Sequence, residues 1–259
     1  MRITMKKVAA AILIFDIFVG LLLFCIYGNK QWGWNVSSFA EKSDNEMSGW
    51  ESALQVSSVQ QSGSEDSSAM YAPLDYKKIA LTFDDGPHPY YTEQLLDGLK
   101  ERGVVVTFFV TGEHAVLHPD IIKRMNEEGH LIGNHTYSHM QLRSDNMEEF
   151  KEELVATSEV IEEIIDEDVV YVRPPYGTWD KSFEKDLNMI PVLWTVDPLD
   201  WCSDNVACIT SNVVKKVEEN DIILMHDYYE SSVTAALEIV DELLAEGYTF
   251  VTVEEILFD

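Results

Sequence analysis

Leu81-Thr82-Phe83-Asp84-Asp85-Gly86-Pro87 runs an apolar strand straight into two adjacent carboxylates and a Gly-Pro turn. Ile79, Ala80, Leu81 and Phe83 have the composition of a buried strand. Two acids side by side at its exit raise each other's pKa unless a cation holds them. Read alone, the segment is an Asp-Asp-Gly turn closing a strand. Read as chemistry, it calls for a metal ion or an arginine nearby.

Downstream, strand-like and helix-like segments alternate. Thr92 to Arg102 has helical spacing (Leu95, Leu96, Leu99) and stops at Gly103. Val104 to Val110 reads as a second buried strand, Pro119 to Glu128 as a helix stopped by Gly129, and Leu131-Ile132-Gly133 as a short third strand. Met147 to Ile165 is a longer amphipathic helix. Strands are then expected at Val169 to Val172, Pro191 to Val196, Ile222 to Met225 and Tyr248 to Val253, with helices around Ser182 to Leu187, Ser211 to Glu219 and Ser232 to Glu246. Near-continuous apolar strands separated by helices mean a parallel sheet covered by helices. Polar motifs recur at the C-terminal ends of successive strands, which favours a barrel over an open sheet.

Upstream, Arg2, Lys6 and Lys7 precede a nearly unbroken apolar run from Val8 to Tyr27, long enough to cross a bilayer as a helix. The exit Leu23-Phe24-Cys25-Ile26-Tyr27 lacks the small residues of a processing site. Residues 1–27 are therefore expected to be a cytoplasmic N-terminus and a single-pass transmembrane anchor in the cell membrane, with the remainder extracytoplasmic. Asp16 within the run is either a tolerated protonated acid or the mark of a partner. Residues 28–75 lose periodicity and fill with Ser, Gln, Glu and Asp, as a linker does, although they carry Trp32, Trp34 and Trp50. The organised domain is expected over residues 76–259.

The formal net charge is -28, from 46 acids against 18 bases, which argues against nucleic acid as a partner. Cys25, Cys202 and Cys208 are too few and too scattered for a cysteine-based zinc module or a disulfide framework. Cys202 and Cys208 either close a small loop or remain free thiols.

His135-Thr136-Tyr137-Ser138-His139 follows the third strand, and two histidines four apart share one face if the segment turns helically. With a carboxylate from Asp84-Asp85 they make a His-His-carboxylate set with open coordination positions, the pattern of hydrolytic zinc sites. Taken alone, the pair also reads as polar surface. His88, His114, His118 and His130 read as structural or surface residues. Arg173-Pro174-Pro175-Tyr176-Gly177 closes the next strand, its prolines stiffening the turn, so that Arg173 can pair with whichever aspartate does not bind metal. Asp197-Pro198-Leu199-Asp200-Trp201 and Leu224-Met225-His226-Asp227 each follow a strand, and a histidine there, tuned by an aspartate, can donate a proton.

Taken in order, Thr82-Phe83-Asp84-Asp85-Gly86, His135 to His139, Arg173 to Gly177, Asp197 to Trp201 and Leu224-Met225-His226 resemble all five motifs of the polysaccharide deacetylases, carbohydrate esterase family 4. The resemblance covers the chain from about Tyr76 onward. It implies a distorted (β/α)-barrel of about seven parallel strands, the NodB-type deacetylase fold, and metal-dependent removal of N-acetyl groups from glycans. Position by position, it implies that Asp84 is the general base and that Asp85, His135 and His139 bind a divalent metal, zinc first, with cobalt, manganese or nickel compatible. Arg173 would orient Asp84 and keep it ionised, and Tyr176 would offer a backbone amide to the oxyanion. His226 would protonate the leaving amine under the influence of Asp200, and Trp201 with Leu224 would form the acetyl-methyl pocket. Peptidoglycan N-acetylglucosamine is the expected substrate, a choice that the Arg-Pro-Pro-Tyr-Gly spelling favours over the muramic-acid branch. Chitin-like or poly-N-acetylglucosamine chains and acetylated xylan are the alternatives within the class. A non-catalytic glycan-binding surface protein is the alternative outside it.

Overall fold

The computed structural model of the chain describes residues 77–258. The expected anchor, its acid Asp16, Cys25 and the expected linker lie outside the described residues. Among the described residues, no helix is long and apolar enough to cross a membrane.

Seven strands form the centre: β1 (Lys77–Asp84), β2 (Thr107–Val110), β3 (Leu131–Asn134), β4 (Tyr171–Val172), β5 (Ile190–Pro191), β6 (Ile222–His226) and β7 (Tyr248–Phe250). Every strand pair is parallel, in the order β5-β4-β3-β2-β1-β6. β7 pairs with the first part of β1, Lys77 to Ile79, before β2 takes over at Thr82. The helices are α1 (Tyr91–Arg102), α2 (Gly112–Leu117), α3 (Pro119–Glu127), α4 (Met147–Ile165), α5 (Ser182–Leu187), α6 (Val206–Val214), α7 (Glu230–Ala245) and α8 (Val253–Phe258).

The sheet is curled rather than flat. Beyond β5 the chain returns to the opposite edge, where Val196 bridges Ile223 of β6. The Thr195 N–H donates to the Ile222 carbonyl at 2.9 Å, and the Leu224 N–H to the Val196 carbonyl at 2.9 Å. A short seam thus joins the two edges of a half-barrel, in keeping with the expected distorted barrel.

Alternation along β1 divides its side chains between two layers. Ile79, Leu81 and Phe83 pack outward with Leu95, Leu96 and Leu99 of α1, in the core between sheet and helices. Burial of each such side chain stabilises the fold by roughly 1.5–3 kcal/mol. Ala80 faces inward with Phe109, Tyr171, Val192 and Ile222. Gly103 closes α1 in the left-handed conformation at φ 63°, its N–H donating to the carbonyl of Leu99.

Several boundaries differ from the sequence reading. β2 begins at Thr107, because the Val106 N–H is taken by Nδ1 of His130 instead of a strand neighbour. β5 is two residues long and the chain from Val192 to Val196 forms the seam instead. β7 stops at Phe250, and residues from Val253 turn into α8 with the Val253 N–H on the Thr107 hydroxyl. The helix expected from Ser211 to Glu219 lies at Val206–Val214, capped by the Asn205 side chain on the Cys208 N–H. α2 was not expected at all.

Candidate active site

β1, β3, β4 and β6 deliver their polar residues to the C-terminal edge of the sheet, the end at which such folds carry chemistry. Asp84 stands opposite His226 in the β1–β6 register. Arg173 is fully buried inside the curl, where its guanidinium lies 4.3 Å from the centre of the Phe109 ring. Its Nη1 donates to Asp84 Oδ1 at 2.9 Å and to the Thr82 hydroxyl at 2.6 Å. Its Nε donates to the Val192 carbonyl at 3.1 Å. Burial drives the guanidinium pKa down and the charge of Asp84 opposes that shift. Asp84 is thus fixed from below by a cation no water reaches.

Asp85 takes the other direction. Its Oδ1 lies 3.3 Å from Nε2 of His135 and 3.3 Å from Nε2 of His139, with no hydrogen-bond donor of its own. His135 is held by its far nitrogen, Nδ1–H donating to the Arg173 carbonyl at 2.6 Å, which turns a lone pair on Nε2 toward Asp85. Ligand atoms of Asp85, His135 and His139 all lie within 4.8 Å of one another. Two imidazoles and an orphaned carboxylate oxygen converging on one point fit a divalent ion. Burial alone would raise the Asp85 carboxyl, but the neighbouring imidazoles of His135, His139 and His226 outweigh it and hold the pKa at about 2. Burial lowers the pKa of His139 against the pull of Asp85, which keeps its ring available as a ligand.

The two histidines do not share a helix, as the four-residue spacing suggested. The segment is an irregular loop with Thr136 at φ 62° and His139 at φ 58°. Left-handed backbone costs a non-glycine residue about 1–2 kcal/mol, so something must hold it. The Glu153 carboxylate of α4 accepts from the N–H groups of Tyr137 (3.1 Å) and Ser138 (3.0 Å) and from the Ser138 hydroxyl (2.6 Å). On the other side, the N–H groups of Gly112 and Glu113 in α2 donate to the carbonyls of Thr136 (3.0 Å) and Tyr137 (3.1 Å). The Asn134 side-chain oxygen accepts from the Thr136 N–H at 2.8 Å. Asp85 is itself left-handed at φ 75°.

Across the rim, Asp200 grips His226 twice, accepting from its backbone N–H at 2.8 Å and from Nδ1–H at 2.9 Å. Burial would lower the imidazole pKa, but the hydrogen bond and charge of Asp200, with the charges of Asp84 and Asp85, raise it to about 9. The ring is therefore an imidazolium at neutral pH, with Nε2–H left for a ligand.

Tyr176 occupies a tight turn, Pro175–Gly177, at φ 60°, and its exposed ring meets His139 edge to face at 5.1 Å between centres. Leu224 is buried on β6, on the inward face that carries His226. Trp201 stands exposed on the turn Asp200–Cys202, beside a depression of about 320 Å³ that Tyr229, Ser203 and Asp204 also line. Asp84, Asp85, His135, His139, Arg173, Tyr176, Asp200 and His226 thus meet at one edge of the sheet, with Leu224 two residues inside it on β6 and Trp201 next to Asp200 on the turn.

Sequence reasoning missed four supporting residues. Glu153 and Asn134 brace the histidine loop, as described. His114, read as a structural or surface residue, donates from Nδ1 to the Asp85 carbonyl at 2.7 Å. Asp227 is fully buried, accepts from the Thr92 hydroxyl, and packs so closely on Gly86 that a Cβ there would overlap both carboxylate oxygens. Burial pushes its pKa up to about 7. An acid directly after the His226 strand was the available signal for Asp227. His130 remains structural: it is buried, and burial lowers its pKa to about 4. Cys202 and Cys208 are both free and exposed.

Comparison with known proteins places this geometry in context. Residues 72–192 match the family described as polysaccharide deacetylase. A peptidoglycan-N-acetylglucosamine deacetylase of Bacillus cereus is 37% identical over 191 residues, covering 71% of this chain and 70% of the relative. The peptidoglycan-N-acetylmuramic acid deacetylase PdaC of Bacillus subtilis is 39% identical over 180 residues, which is 70% of this chain but 38% of that protein. The solved structure of PdaC superposes with a TM-score of 0.67 at 38% identity, covering 70% of this chain and 90% of the solved one.

Proposed function

The chain belongs to the polysaccharide deacetylase family, and from that premise we propose that it is a metal-dependent N-deacetylase acting on N-acetylglucosamine residues of a cell-wall glycan, peptidoglycan first. The observation that carries this reading is the division of the acid pair. Asp84 is tied to a buried arginine, whereas Asp85 points its free oxygen at two imidazoles.

In this reading Asp85, His135 and His139 hold the ion, Zn²⁺ first, with Co²⁺, Mn²⁺ or Ni²⁺ compatible with the same donors. When bound, the ion supplies Lewis acidity toward the amide carbonyl and acidifies water. Asp84, oriented by Arg173 and unable to swing away, takes the proton of the attacking water. His226 carries a proton at neutral pH and delivers it from Nε2 to the departing amine, with Asp200 fixing the ring. The backbone amide of Tyr176 serves the developing oxyanion, and Leu224 with Trp201 bounds the space for the acetyl methyl. Base and acid face each other across paired strands, so one substrate amide can lie between them.

Residues 8–27 anchor the protein in the cell membrane and residues 28–75 link that anchor to a catalytic domain outside the cytoplasm. The basic residues ahead of the apolar run support this orientation. The test is acetate release by the Zn²⁺-loaded protein from purified peptidoglycan, N-acetylglucosamine oligomers and acetylated xylan, with mass spectrometry locating the free amine. Free amines on glucosamine are expected. Free amines on muramic acid, as the name of PdaC would suggest, or acetate from xylan alone would reassign the substrate. No acetate from any of them would leave a glycan-binding protein and end the enzyme reading.

A further inference from the structure

The short helix α2 touches both loops that bring the three candidate metal ligands together. The Thr111 N–H just before it donates to the Gly86 carbonyl at 3.1 Å, and the Gly112 and Glu113 N–H groups hold the Thr136 and Tyr137 carbonyls. Its side chain His114 adds a hydrogen bond to these loops, Nδ1–H reaching the Asp85 carbonyl at 2.7 Å. The Thr111 hydroxyl lies 3.0 Å from the same nitrogen and the Tyr228 ring 5.5 Å from the imidazole, which together fix its orientation.

Asp85 is a non-glycine residue at φ 75°, a backbone state that relaxes unless its neighbours hold it. The Asp85–Gly86 peptide is held at both of its ends, its carbonyl by His114 and its glycine packed against Asp227, which leaves it one orientation. That orientation aims Oδ1 at His135 and His139.

We infer that His114 is a positioning residue of the metal site, holding the Asp85 peptide in its left-handed conformation so that the carboxylate is pre-set before any ion arrives. The inference rests on the proposed metal site and adds a residue that binds neither ion nor substrate. Loss of a partner that orients a ligand typically weakens metal binding about 10- to 100-fold.

The experiment measures Zn²⁺ affinity by competition with a chromophoric chelator, alongside the melting temperature of the metal-free protein, for wild type, His114→Ala and His114→Asn. Asparagine places an amide N–H near the position of Nδ1. His114→Ala is expected to bind Zn²⁺ about 10- to 100-fold more weakly with the metal-free melting temperature little changed, and His114→Asn to recover most of that loss. Wild-type affinity in His114→Ala overturns the inference while leaving the metal site standing. So does a His114→Asn variant no better than His114→Ala. A wild-type protein that takes up no Zn²⁺ overturns the metal site, and this inference with it.

Discussion

Two adjacent aspartates sit in opposite surroundings, Asp84 tied to a buried arginine and Asp85 facing two imidazoles. Asp84→Asn keeps an oxygen for Arg173 but can no longer accept a proton, so turnover is expected to fall about 10²- to 10⁴-fold. Zn²⁺ uptake should persist, since Asp85, His135 and His139 are untouched, and titration of the variant with the ion checks that. Leaving the buried guanidinium without its counter-charge should also cost about 3 kcal/mol in chemical denaturation. In the proposed mechanism His226 sets the alkaline side of the pH profile. It must carry a proton to act as an acid, so the rate falls as pH rises through its pKa of about 9. In Asp200→Asn burial remains and the hydrogen bond and charge of Asp200 are gone, so against the remaining pull of Asp84 and Asp85 the alkaline limb of kcat/KM should move down from about 9 toward 6.5. The same pair affects stability with a definite sign. The folded pKa lies above the unfolded value, so its contribution, about 3 kcal/mol, is complete below pH 6.5 and is lost as pH climbs through 9. Denaturation of the metal-free protein at pH 6 and pH 9.5 reads it, and Asp200→Asn should remove most of the difference.

At the scale of elements, the histidine loop depends on α2 and α4 for its shape. Glu153→Ala removes the acceptor of two backbone N–H groups and a hydroxyl. The expected result is a loss of about 1–3 kcal/mol in stability together with weaker Zn²⁺ binding, followed by denaturant melts and chelator competition. These supports explain which parts of the molecule were legible in the sequence. α4 was bounded correctly because Phe150, Leu154 and Ile161 repeat at helical spacing over five turns. α2 was invisible because six residues with Gly112 at the start carry too little periodicity, and tertiary bonds to Gly86, Thr136 and Tyr137 shape its start. The convergence of His135 and His139 was foreseen but its cause was not. A helix would have spaced them by periodicity, whereas left-handed Thr136 and His139 do so by bonds to distant residues that a local reading cannot see. Asp84, His226 and Arg173 were legible because each lies at a strand end, and strand ends in a parallel sheet share one edge. β5 was overestimated because Pro191 to Val196 is apolar for a different reason: it crosses the open side of the curl.

For the molecule as a whole, parallel strands place every motif at one edge, and the inward face of the curl is filled by a polar column, Thr82, Arg173 and Asp84, above the apolar cluster around Ala80 and Phe109. The strand pairing is uneven around the ring. β1 is paired with β6 over five residues, Ala80 to Asp84, whereas the other edge of β6 meets only the bridge at Val196. That seam lies two residues before His226 and four before Asp200. Subglobal opening should therefore begin there, and amide hydrogen exchange should find Thr195, Val196 and Leu224 less protected than Leu81 to Phe83 in β1. Asp200 hangs from the same stretch of chain, four residues past Val196, so the tightness of that seam bears on how firmly the aspartate is presented to the imidazole.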